Sequence, residues 1–113
     1  MGADELIEAR KMVSEIPVAD AVMDYLLDLV MATHEENKYI KEGASPRAAQ
    51  ALLRTAKARA FVEGRFNISF EDLQYAAYPV LRHRILLSFD AVSEGISVDE
   101  IIRQILEEKK PSV

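Results

Sequence analysis

The run Gly43-Ala44-Ser45-Pro46, followed by an alanine-rich stretch that closes at Gly64, constrains this chain more than any other feature. Serine before proline marks a helix start. The serine oxygen can cap free backbone N–H groups, and proline at the first helical position gives up an amide that would have no intrahelical partner. Six alanines follow, Ala48, Ala49, Ala51, Ala56, Ala58 and Ala60, which favour helix and allow close packing on neighbours. Gly64 supplies a left-handed stop. A helix from Pro46 to Glu63 is predicted.

Other helices arrange themselves around it. From Asp4 to Ile16 the apolar residues Leu6, Ile7, Met12, Val13 and Ile16 keep helical spacing, with Asp4 placed to cap and Pro17 to stop. From Val18 to about His34 a broad apolar set, Val22, Met23, Leu26, Leu27, Leu29 and Val30, faces an acidic stripe of Asp20, Asp24 and Asp28. Glu35 to Ala44 reads as a polar loop carrying an isolated Tyr39-Ile40 pair. Ser69-Phe70-Glu71-Asp72 resembles a capping box, with Ile68 and Leu73 as its hydrophobic staple, and opens a helix that Pro79 is expected to interrupt. Ser97-Val98-Asp99-Glu100 is a second box with Ile96 and Ile101 as staple. Behind it Ile101, Ile102, Ile105 and Leu106 continue an apolar stripe. Residues 111–113 form a tail.

Two short pieces read as extended, Arg65 to Ile68 and Ile85-Leu86-Leu87. A pairing between them is one alternative. The fold class is mainly α, with five or six helices in one domain over 1–113 and room for a minor two-stranded ribbon.

Several function classes fall away on chemistry. The net charge of −5 argues against a general nucleic-acid binder, which needs a basic surface to neutralise phosphates. Cysteine is absent, so disulfides, thiolate catalysis and cysteine zinc sites are excluded. The glycines are isolated and no Gly-rich phosphate loop with a following Lys-Ser/Thr occurs, so the chain cannot cradle a triphosphate unaided. His34 and His83 lack metal-ligand spacing and read as structural or surface residues. The aspartate stripe is a solvated face that suits the dipole near a helix start. Asn67-Ile68-Ser69 matches a glycosylation acceptor, which is uninformative without a secretory signal. No stretch approaches the roughly 18 apolar residues of a membrane span, and a cytoplasmic location is expected. A Met-Gly start directly before a helix also reads as the edge of a piece cut from a longer chain.

The informative residue is Arg47. A helix start places its permanent charge in the first turn, next to exposed N–H groups, where arginine is less at ease than at the other helix end. A negative partner would account for it, and a plain surface arginine is the alternative. Gln50, Arg54 and Lys57 follow at intervals of three or four residues and share its face. Arg54 and Lys57 read as solvated or interface charges. Arg59 lies twelve residues on, roughly a third of a turn away around the axis at ~3.6 residues per turn, and is expected as a surface arginine that does not share Arg47's direction.

Gly43-Ala44-Ser45-Pro46-Arg47-Ala48-Ala49-Gln50-Ala51-Leu52-Leu53 resembles the sensor-2 helix of MoxR-family AAA+ ATPases, in which a G-(A/S)-S-x-R core is characteristic. Val18-Ala19-Asp20-Ala21-Val22-Met23-Asp24-Tyr25 is similar to that family's lid-opening helix, which often carries serine where Ala19 stands. Val62-Glu63-Gly64-Arg65, Glu71-Asp72-Leu73 and Pro79-Val80-Leu81-Arg82-His83-Arg84 resemble later family elements, the last matching a Pro-V-L-x-H-R pattern. The resemblance spans nearly the whole chain.

It implies a C-terminal lid domain, with the nucleotide-binding core absent from this sequence. Arg47 would be the catalytic sensor-2 arginine, reaching the terminal phosphates of ATP, with Ser45, Pro46 and Arg47 as the cofactor-binding set. ATP and Mg2+ would be bound in the intact parent protein. The implied partners are the N-terminal AAA+ core of the same chain, neighbouring subunits in a ring, and von Willebrand factor A domain proteins. The implied role is coupling nucleotide state to chaperone-like remodelling, and the isolated lid would not be an enzyme. Arg82 and Arg84 would serve lid contacts or, with His83, hold the short strand. The alternatives are a free-standing helical protein-interaction module and, behind it, a winged-helix-like DNA-binding domain.

Overall fold

The computed structural model describes residues 18–111, and the helix expected over 4–16 lies outside the described residues, as does most of the tail. Helix α1, Asp20–Ala32, buries Val22, Tyr25, Leu26, Leu29, Val30 and Ala32. Asp20, Asp24 and Asp28 line its exposed side. Its start has no side-chain cap, as alanine at position 19 dictates.

Strand β1, Ile40–Glu42, comes next and leads into helix α2, Arg47–Val62. Ala48, Ala51, Leu52, Ala56 and Ala60 form the inner face of α2, and its small side chains let it pack most extensively on α3, Phe70–Leu81. Strand β2, Leu86–Leu87, the short helix α4, Phe89–Glu94, and helix α5, Val98–Glu108, complete the described chain. Among the described residues Leu26, Leu29, Leu52, Leu73, Leu81, Ile101 and Ile102 are the large apolar side chains fully withdrawn from solvent. Each is worth roughly 1.5–3 kcal/mol of burial, and together they join α1, α2, α3 and α5 in one core. Tyr25 meets Phe70 edge-to-face at 5.5 Å, fixing α1 against the start of α3.

The helix ends follow the sequence signals with two exceptions. Gly64 has φ 73° and closes α2, where Arg65 N–H bonds Ala60 O and Gly64 N–H bonds Phe61 O. This pair of bonds requires a left-handed residue, which glycine adopts without a side-chain clash. Ser69 and Asp72 form the reciprocal capping box at α3. Ser97 accepts from Glu100 N–H at α5, which is the serine half of the expected box; among the described residues Glu100 does not return a bond to Ser97 N–H.

The first exception is Ser45, whose side chain does not cap α2. Its carbonyl instead receives Ala48 N–H at 2.9 Å, while Pro46 is already helical at φ −56°, ψ −24°. The second is Pro79, which does not interrupt α3. It removes one amide donor, but Val80 and Leu81 beyond it are buried and hold the last turn against the core.

The ribbon exists, but the expected pairing is wrong. Strand β2 runs antiparallel to β1, with Ile40 opposite Leu87 and Glu42 opposite Leu86, inside the stretch expected to be loop. Ser88 explains the choice: its N–H donates to Tyr39 O at 2.9 Å and its hydroxyl to Lys38 O at 2.6 Å. The same hydroxyl accepts from Ala91 N–H and starts α4, a helix that was not foreseen. Arg65, by contrast, is drawn to Asp72 and away from any strand.

Candidate phosphate-facing site at the start of α2

The link between α1 and α2 is held by consecutive residues at the end of α1. Thr33 is buried, its hydroxyl donating to Val30 O at 2.7 Å and accepting from Ala44 N–H at 2.9 Å. His34 Nε2 bonds the Ala44 carbonyl. A carbonyl only accepts, so Nε2 carries the proton. A Cβ at Gly43 would lie 2.4 Å from the Thr33 carbonyl oxygen, so only glycine fits that approach. Ala44 is itself fully buried.

Three residues further on, Arg47 opens α2. Ser45, Pro46 and Arg47 are all exposed, and Arg47 makes no hydrogen bond or ion pair among the described residues. Gln50 and Arg54 continue the exposed face. Most other arginines are committed internally. Arg82 grips Asp99 of α5 through Nε at 2.8 Å and Nη2 at 3.1 Å, and each raises or lowers the other accordingly: the hydrogen bond holds Arg82 further toward its charged form and Asp99 below the ordinary carboxylate value. Arg84 donates to Val80 O and closes the end of α3. Arg103 pairs with Glu107 one turn on. Arg82 and Arg84 therefore tie α3 to α5 and finish α3, while His83 is exposed beside them.

Arg59 is not the bland surface residue expected. It donates to the buried Asp72 at 2.7 Å, and its guanidinium lies 4.9 Å from the Tyr75 ring centroid. Arg65 binds both oxygens of the same carboxylate, and Ser69 adds its N–H at 2.8 Å and hydroxyl at 3.1 Å. Burial alone pushes the Asp72 carboxyl up, but the bonds from Arg65, Ser69 and Arg59 outweigh it and hold the group well below the usual carboxylate range. Asp72 therefore fastens the far end of α2 to α3. The sequence signal for it was the capping box; nothing in the spacing indicated the two arginines.

Among the described residues no cluster of histidines or acids could hold a metal ion, and no helix is long and apolar enough to cross a membrane. Among the described residues Arg47 and Arg54 are the arginines without an acceptor, and Arg47 alone stands on the fixed helix start, where a guanidinium suits a phosphate oxygen.

Comparison with known proteins agrees with this architecture. Residues 32–105 match the family model described as AAA lid domain. The uncharacterised protein YeaC of Bacillus subtilis is 30% identical over 110 residues, covering 97% of this chain and 34% of the relative. Chaperone MoxR1 of Mycobacterium tuberculosis is 28% identical over 115 residues, covering 95% of this chain and 30% of the relative. The crystal structure of a "putative ATPase" from Cytophaga hutchinsonii superposes with a TM-score of 0.91 at 36% identity, covering 97% of this chain and 36% of that one. The chain spans about a third of the length of these relatives.

Proposed function

The chain belongs to the AAA lid domain family and is a lid of the MoxR type, and from that premise we propose that it covers an ATP site built by another part of the same protein and contributes Arg47 to it. The observation that carries this is the guanidinium of Arg47 on the first residue of α2, without a partner among the described residues, in a domain where Arg59, Arg65, Arg82 and Arg103 are all bound to carboxylates and Arg54, also without one, lies further along α2 and away from its first turn.

Phosphoryl transfer spreads negative charge over the equatorial oxygens of the transferred group, and fixed positive charge aimed at them lowers the barrier. Arg47 has the right charge and a rigid mount. The dipole of α2 adds a favourable field for the same anion, while the Ala48 and Ala49 N–H groups are already taken by Ser45 O and Pro46 O. Ser45 and Pro46 shape the approach rather than bind strongly, since proline has no N–H to offer. Magnesium would assist by neutralising phosphate charge, and with no acidic cluster among the described residues its ligands belong on the core.

Because Arg47 sits on the lid and the phosphates on the core, hydrolysis would remove a tie between the two and let the lid move. In a ring of subunits that motion would drive chaperone-like remodelling, in keeping with the name of the M. tuberculosis relative. Von Willebrand factor A domain proteins are the proposed partners, and the cytoplasm the proposed location. The test is ATP turnover by the full-length protein carrying Arg47→Ala, with Arg103→Ala as control. Selective loss in the first variant supports the assignment, and equal turnover in both removes it.

A further inference from the structure

We propose that Thr33 is a positioning residue for Arg47: its hydroxyl locks the Gly43-Ala44 link so that the end of α1 and the start of α2 move as one body. This inference rests on Arg47 being the phosphate contact.

The geometry is specific. Thr33 is 1% exposed, and its only hydroxyl proton goes to Val30 O at 2.7 Å, which turns the oxygen lone pairs toward Ala44 N–H at 2.9 Å. The Ala44 carbonyl is taken by His34 Nε2. Both backbone groups of one buried residue are therefore held by the two consecutive residues that follow α1, eleven and ten positions back. The Thr33 carbonyl lies too close to leave room for a Cβ on residue 43, so the two backbones pack directly against each other. Ser45 then passes this constraint into α2 by accepting Ala48 N–H through its carbonyl, not through a flexible side-chain cap. Arg47 leaves the backbone between these two anchored points.

A guanidinium on a long side chain gains in catalysis only if its root is fixed, because a displacement of about 1 Å at a reacting group can cost about a hundredfold in rate. Thr33→Val keeps the shape and β-branching of the side chain and removes the acceptor. Ala44 N–H is then left buried without a partner, and the link has reason to shift toward water. Thr33→Ser keeps the acceptor.

The experiment measures kcat and KM for ATP in the full-length protein, at a temperature where circular dichroism shows each variant folded. Thr33→Val is expected to lower kcat about tenfold, within the range expected for misplacement, with KM changed far less. Thr33→Ser should restore most of the rate. Thr33→Val combined with Arg47→Ala should be no slower than Arg47→Ala alone, because a positioning residue has nothing left to position. A purely structural role would slow the Arg47→Ala background as well, and that result overturns the proposal, as does a folded Thr33→Val with full kcat. If Thr33→Val does not fold, His34→Ala, at an exposed position, carries the same test. A several-fold loss absent from the Arg47→Ala background supports the proposal, and full activity overturns it. Arg47→Ala at full rate removes the phosphate contact and this inference together. Arg47→Ala slow beside Thr33→Val at full rate removes this inference alone.

Discussion

Replacing Asp72 with alanine should cost this domain about 3 kcal/mol of stability, starting from the ~3–5 kcal/mol that follows removal of one partner from a buried ion pair. Loss of the Ser69–Asp72 box adds about 1 kcal/mol. Against this, Arg59 and Arg65 are 28% and 35% exposed and can turn their guanidinium groups toward water once the carboxylate is gone, which brings the total down again. For a domain of this size about 3 kcal/mol corresponds to a fall of roughly 12–24 °C in Tm, at ~4–8 °C per kcal/mol. Urea and thermal unfolding followed by circular dichroism read both quantities. A cost below about 1 kcal/mol, the ordinary surface range, would refute the role given to this carboxylate. The pH dependence has a definite sign. The carboxyl is held below its ordinary value in the folded state, so its contribution is complete above the unfolded value of about 3.9 and is lost as pH falls from there toward the folded value. Asp72→Asn should flatten that acid limb.

Three further outcomes are expected. Gly64→Ala should lose about 1 kcal/mol in urea unfolding, because a Cβ is strained at the left-handed angle that closes α2. Pro79→Ala should stabilise the domain by about 1–2 kcal/mol, since the site is exposed on α3 and the substitution restores an amide for Tyr75 O, less than the ~3 kcal/mol of a mid-helix proline because little helix follows it. The isolated domain should release no phosphate from ATP above background in a coupled assay. Measurable turnover by the pure domain would contradict a lid that depends on a separate core.

Local signals made most of the helices legible. Alternation of apolar residues with a cap before and a glycine after fixes a helix through contacts only a few residues apart, as at Ser69–Asp72 and Gly64. The ribbon partner was not legible, because Ile40–Glu42 joins Leu86–Leu87 across more than forty residues through Ser88, whose backbone and side chain both reach back to Lys38 and Tyr39. Helix α4 is too short to show a period and has one buried residue, Ala91. Pro79 misled because propensity at one position was outweighed by the burial of Val80 and Leu81. At the site, Arg47 stood out by charge at an unfavourable helix end. Thr33, His34 and the arginines around Asp72 did not, since their roles depend on contacts between segments that sequence spacing does not encode.

The most direct measurement is single-turnover ATP hydrolysis by full-length Arg47→Ala protein, paired with unfolding of the lid carrying the same change. A phosphate contact at Arg47 predicts a rate lowered by roughly a hundredfold or more, since a well-placed arginine at a phosphoryl site is worth ~10³ or above, with lid stability within about 0.5 kcal/mol. Arg103→Ala, which among the described residues breaks only the exposed pair with Glu107, should stay within about twofold. Equal rates in the two variants, or a lost rate in Arg47→Ala explained by an unfolded lid, would contradict it.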